Sequence, residues 1–218
     1  MRFHTPTFAQ ENLRSLISST IIEDLKRTAR SSLMIYFYFD FKDAAKRDIR
    51  GLLSSLLIQL SDTSDICWSI LSDLYTKHRN GSDQPSEATL VQCLKDMLQS
   101  MPHTPFYIIV DALDECPNTT GTPSPREKVL NFVEDLVSSQ YPNLYLCITS
   151  RPEQDIRTVL DPLTPTLRRI SLHEEGGQRE DINTYIRSFV DTDRAMRRWR
   201  AEEQQLVIDT LSERVDGM

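Results

Sequence analysis

Phe106-Tyr107-Ile108-Ile109-Val110-Asp111-Ala112-Leu113-Asp114-Glu115-Cys116 is the stretch on which the reading of this chain turns. Phe106 to Val110 is an unbroken apolar and aromatic run, the pattern of a strand buried on both faces in a parallel sheet. It delivers Asp111 to its C-terminal end, the edge at which open α/β sheets bind ligands. A carboxylate there suits Mg²⁺, which keeps several waters and takes few protein ligands. Asp114 and Glu115 follow at once, and Glu115 stands where a residue can orient or deprotonate a hydrolytic water. Taken alone, a strand ending in Asp is common, and two further acids form a solvated turn as readily as a site.

Working outward, the same alternation recurs. Leu33 to Phe39, dense in aromatics and without charge, predicts another strand buried on both faces. Leu144 to Thr149 predicts a third, and Leu167 to Leu172 a weaker one. Between them lie helical spacings. Leu13, Leu16, Ile17, Ile21 and Leu25 predict a helix from Glu11 to Thr28. Ile49, Leu52, Leu53, Leu56, Leu57 and Leu60 follow the i, i+3, i+4, i+7 pattern of an amphipathic helix. Asp65 to Lys77, the segment around Leu90 to Leu98, and Val129 to Val137 add three more, with a loop from His78 to Ser86 marked by Asn80-Gly81. After Gly176-Gly177 the chain reads as helical to its end. Apolar strands alternating with amphipathic helices predict a parallel α/β sheet followed by a helical segment.

The 218 residues carry a formal net charge of −7, which disfavours a broad nucleic-acid surface. Cys67, Cys93, Cys116 and Cys147 are scattered without a zinc spacing, so the reading is a reduced protein of the cytoplasm. No run is long and apolar enough to span a membrane, and Met1 to Gln10 holds no signal-peptide core.

A second strand exit carries Thr149-Ser150-Arg151-Pro152. An arginine on that edge is suited to sensing a terminal phosphate, because the guanidinium fork matches phosphate geometry; alone it reads as a surface residue at a turn. A phosphate cradle also needs a Gly-rich turn with Lys and Ser or Thr at fixed spacing. Neither Gly51, Gly81, Gly121, Gly176, Gly177 nor Gly217 supplies one, and none is followed by Lys. Arg194, Arg197, Arg198 and Arg200 form a short basic cluster that reads as a solvated helix face, and Trp199 beside it fits a buried anchor or an interface.

Val110 to Pro117 (VDALDECP), Ser124 to Leu130 (SPREKVL), Cys147 to Arg157 (CITSRPEQDIR) and Asp193 to Met218 together resemble the fungal NACHT family, STAND-class P-loop NTPases related to the nephrocystin-3-like N-terminal module. The resemblance runs from about residue 15 to the end. It implies a three-layer P-loop NTPase-like parallel sheet lacking its first strand, with a non-family segment over 1–14, a core without the phosphate loop over 15–175 and the start of a helical domain over 176–218. It implies that Asp111 is the Walker B metal ligand, that Asp114 and Glu115 form the catalytic acidic motif, and that Arg151 is a sensor. Arg14 and Ser15 fall in the Lys-Ser place of the missing loop, with Leu13 and Glu11 where glycines belong. The cofactor implied is Mg²⁺ with ATP or GTP. The activity implied is a slow-hydrolysing signalling switch, NLR-like, whose partners are other protein chains, through self-association or through full-length relatives; neither nucleic acid nor membrane is expected.

Three readings follow. The chain is a NACHT-type signalling module with impaired nucleotide binding, or a nucleotide-free interaction scaffold, or a weak NTPase completed by a phosphate loop in trans. A strand absent beside the third strand predicts an exposed sheet edge, a template for unwanted pairing and a cause of marginal stability.

Overall fold

The computed structural model describes residues 7–29, 32–119, 121–163, 177–193 and 196–215. The chain divides into two compact units, residues 1–165 and 166–218. The first runs α1 (Thr7–Thr28), β1 (Leu33–Tyr38), α2 (Ile49–Thr63), α3 (Asp65–Lys77), α4 (Glu87–Ser100), β2 (Phe106–Asp111), α5 (Pro125–Ser138), β3 (Leu144–Ile148) and α6 (Gln154–Leu160). Among the described residues the sheet is parallel, in the order β1-β2-β3, with Tyr38 opposite Asp111 and Val110 opposite Ile148.

The helices begin where short polar side chains satisfy orphan amides. Asp48, Ser64 and Ser86 each cap the helix that follows by accepting from its first turn. Ser124 and Glu127 form a reciprocal capping box at the start of α5, with Pro125 in the first turn. The boundaries of α2 and α3 and the start of β2 therefore fall close to the sequence expectation.

Alternation along the strands sorts side chains onto two faces. Ile35, Phe37, Phe106, Ile108 and Val110 point one way and join a single cluster with α2 (Leu52, Leu53, Leu56, Leu57, Leu60), α4 (Leu94, Met97, Leu98) and α5 (Val129, Leu130, Phe132). Tyr36, Tyr38, Tyr107, Ile109, Asp111, Tyr145 and Cys147 point the other way. Helix α1 packs there against β1 and β2, where Ile22 and Ile109 are buried. Helices on both faces make the unit three-layered.

The expectation of strands buried on both faces holds for β2 but not for β1 and β3. In β1 burial alternates along most of the strand, and β3 is half-buried except at Tyr145, which is 52% exposed. β1 and β3 are the outer strands of the described sheet and are covered less fully than the central β2. Tyr36, Tyr38 and Tyr145 lie among their partly exposed residues, and an amphipathic ring tolerates that position, so an uncharged run need not be dry on both sides. Tyr107 and Tyr145 stack with ring centroids 4.9 Å apart. β3 ends the sheet among the described residues. On the open edge of β1 a side chain caps one residue: Gln59 of α2 accepts from the Tyr36 amide at 3.0 Å and donates to the Tyr36 carbonyl at 2.8 Å.

In the second unit α7 (Gly177–Thr192) and α8 (Ala201–Val215) flank a 3-10 turn, Met196–Arg198. Ile186, Val190 and Ile208 form its small core. Arg197, Arg198 and Arg200 are exposed, as expected of a solvated cluster, and Trp199 is 47% exposed. Arg194 and the strand expected over Leu167 to Leu172 lie outside the described residues. No described helix is long and apolar enough to cross a membrane.

Candidate functional site

β2 ends on Asp111, and the chain turns sharply after it. Ala112 takes a left-handed conformation, φ 54° and ψ 46°, which costs a residue with a side chain roughly 1–2 kcal/mol. The reversal feeds a 3-10 turn, Leu113–Glu115, that carries the two further acids. Hydrogen bonds to the neighbouring strand exit hold it: the Leu113 amide donates to the Thr149 carbonyl at 3.0 Å, and the Ala112 amide to the Thr149 hydroxyl at 3.1 Å.

Asp111 is buried, 3% exposed. Its Oδ1 accepts from the Ser18 hydroxyl of α1 at 2.7 Å and, through a short hydrogen bond, from the Thr149 hydroxyl. Ser18 itself is fully buried. The carboxylate acts on its surroundings. Burial raises the Tyr38 hydroxyl pKa, with the Asp111 charge adding to the rise and a hydrogen bond from Ser19 opposing it. Burial likewise raises the Cys147 thiol, and Asp111 adds to that shift.

Asp114 and Arg151 meet. The Arg151 amide donates to Asp114 Oδ1 at 2.9 Å. Arg151 Nε lies 3.1 Å from Asp114 Oδ2, an ion pair in which the buried Nε–H is off the hydrogen-bond line. The Asp114 side chain is 5% exposed and that of Arg151 40%. Glu115 turns toward the loop after β1, its Oε2 accepting from the Phe41 amide at 3.4 Å.

The structure brings Asp111, Asp114 and Arg151 together at the ends of β2 and β3. Arg14 and Ser15 fall within α1, which is continuous helix from Thr7; their side chains lie outside the described residues. The residue of α1 that reaches Asp111 is Ser18, a full turn beyond Ser15. Sequence reasoning missed its role, although a Ser on the apolar side of a helix is a signal for a buried partner. It also missed Arg126, which is 6% exposed. Arg126 Nε donates to the Cys116 carbonyl at 2.8 Å and Nη2 to the Asp114 carbonyl. Its Nη1 donates to Glu153 through a short bond and to Asp155 at 3.1 Å. Burial works against the Arg126 charge, but its bonds to Glu153 and Asp155 outweigh that and raise its pKa. Arg126 lies in SPREKVL and its two acids in TSRPEQDIR, at the starts of successive helices, but nothing local in either segment pairs them.

In this arrangement two hydroxyls engage Oδ1 of Asp111 and the residue is 3% exposed, whereas hydrated Mg²⁺ keeps several waters around a carboxylate ligand. The described residues hold no cluster of three or more acids, histidines or cysteines that fits a metal.

Fold and site together define a parallel α/β domain with an acidic turn at one strand exit and an arginine at the next. Residues 14–151, more than half of the chain, match the family described as Nephrocystin 3, N-terminal, and the chain belongs to that family, which is associated with NACHT-type NTPase modules. No curated protein matches the chain.

Proposed function

We propose that this chain is a NACHT-type signalling and oligomerisation module in which binding of Mg·ATP or Mg·GTP is impaired, so that it works through contacts with other protein chains. The engagement of Asp111 by Ser18 and Thr149 carries this reading. The carboxylate that the family resemblance assigns to the metal is used as an internal hydrogen-bond acceptor. Arg151, the assigned sensor, is drawn onto Asp114. α1 runs as unbroken helix through Leu13, Arg14 and Ser15, where a phosphate cradle needs an irregular turn with free amides.

In this reading Glu115 and Asp114 hold the positions of catalytic acids without a nucleotide to act on, and the strand exits serve as a rigid platform. The scaffold reading, in which nucleotide plays no part at all, draws on the same burial of Asp111 and differs only in degree.

The test is molar mass in solution by light scattering, with and without Mg·ATP or Mg·GTP. The expected result is a species above the 25.2 kDa of one chain whose mass does not change with nucleotide. A strict monomer under all conditions would remove the assembly role. A nucleotide-dependent mass that is abolished in Asp111→Asn would remove the claim of impairment.

A further inference from the structure

Arg126 belongs to neither strand-exit segment, yet it grips both. Through Nε and Nη2 it holds the main-chain oxygens of Cys116 and Asp114, the carbonyls with which the acidic turn ends. Such terminal carbonyls have no partner within their own turn. Through Nη1 it holds Glu153 and Asp155, just beyond Arg151. Its root is fixed, because Arg126 sits in the first turn of α5, between the two residues of the Ser124/Glu127 capping box. Asp155 is steadied in turn: Asn118 Nδ2 donates to its Oδ2 at 2.8 Å, and Asn118 Oδ1 accepts from the Ser124 hydroxyl at 2.8 Å.

Besides the Leu113 and Ala112 amides on Thr149, the acidic turn and the Arg151 segment are thus joined by the Arg126 fork and by the Asp114–Arg151 contact. We propose that Arg126 is the positioning residue of this site, fixing the Asp114 turn against the Arg151 turn so that the two segments open only together. The chemistry requires arginine. A planar fork offers donors in several fixed directions and can satisfy two carbonyls and two carboxylates at once, whereas a lysine ammonium is a single point with three donors. Burial makes the grip close to all-or-none, since a desolvated charge that loses some of its partners is strongly destabilised.

The test is amide hydrogen exchange on the full chain, wild type against Arg126→Lys and Arg126→Gln, without nucleotide. In Arg126→Lys the amides of Glu115, Cys116 and Arg151 exchange at least about tenfold faster, while those of Ile108 and Val110 in β2 keep their rates, because local openings are independent of the core. Unchanged rates at Glu115, Cys116 and Arg151 would overturn the proposal. So would an equal acceleration in β2, which is the signature of a merely stabilising role. If neither variant folds, the wild type decides: under low urea the Glu115, Cys116 and Arg151 amides share one opening with one urea dependence, and separate dependences would overturn it. None of these readings involves nucleotide, so their failure is distinct from failure of the proposed function.

Discussion

The α2 face and the α1 face of the sheet rest on the same three strands but are held by different interactions. On the α2 side leucines from one helix interlock with the strand residues, and the site is dry and apolar. On the α1 side four tyrosines, Tyr36, Tyr38, Tyr107 and Tyr145, remain partly exposed, and the deepest contact is polar, Ser18 to Asp111. The first face supplies most of the burial that stabilises the fold. The second carries the residues with chemistry, positioned by hydrogen bonds that one substitution can break. The acidic edge is therefore expected to fail locally before the core does.

That contrast can be broken at its strong side first. Leu56→Ala, at a fully buried position of α2, should destabilise the chain by about 2–5 kcal/mol in urea unfolding, the range for a large-to-small core change. A loss below about 1 kcal/mol would mean that the α2 face is not the main support. Next comes Asp111→Ala, which takes the acceptor from the buried Ser18 hydroxyl and the half-buried Thr149 hydroxyl. A cost of about 1–3 kcal/mol is expected, with Ser18→Ala costing less, because removing the donor leaves Asp111 its Thr149 partner.

A third experiment uses pH. Cys116 is pushed from its ordinary 9.0 to about 12, first by burial, and its thiol donates to the Arg47 carbonyl. Cys93 is pushed to about 11, again by burial first. A folded-state pKa above the unfolded value means that the folded chain holds the proton more tightly. The stability so contributed is complete below pH 9 and is lost as pH climbs toward 12. Unfolding free energy should fall over that window, and Cys116→Ala should flatten the fall. A flat wild-type profile between those pH values would contradict it. The smallest effect is expected at Tyr145→Ala on the open face, about 0.5–1.5 kcal/mol from the lost stacking on Tyr107.

Much of this was legible in the sequence because periodicity and capping are local signals. The run of Ile49 to Leu60 gave α2, and Phe106 to Asp111 gave β2 with its carboxylate at the ligand edge. Thr149-Ser150-Arg151 gave the second exit, since both runs end on a polar turn. Whether β1 and β3 were wet on one face was not legible, because Tyr counts as apolar in a pattern yet behaves as amphipathic in space. Nor was the left-handed Ala112, since a residue forced into that region by its neighbours leaves no composition signal. Arg126 and Ser18 are long-range partners, 29 and 93 residues from Asp155 and Asp111 respectively, and one sequence gives no rule for pairing at such separations.

The central claim is that Asp111 is committed to Ser18 and Thr149 and not to a metal-bound phosphate. Calorimetric titration of Mg·ATP and Mg·GTP into the folded chain, with Asp111→Asn as the control, tests it most directly. The account predicts no binding heat for either nucleotide. Saturable heat that disappears in Asp111→Asn would contradict it and would show that the carboxylate leaves its hydroxyl partners to serve a nucleotide.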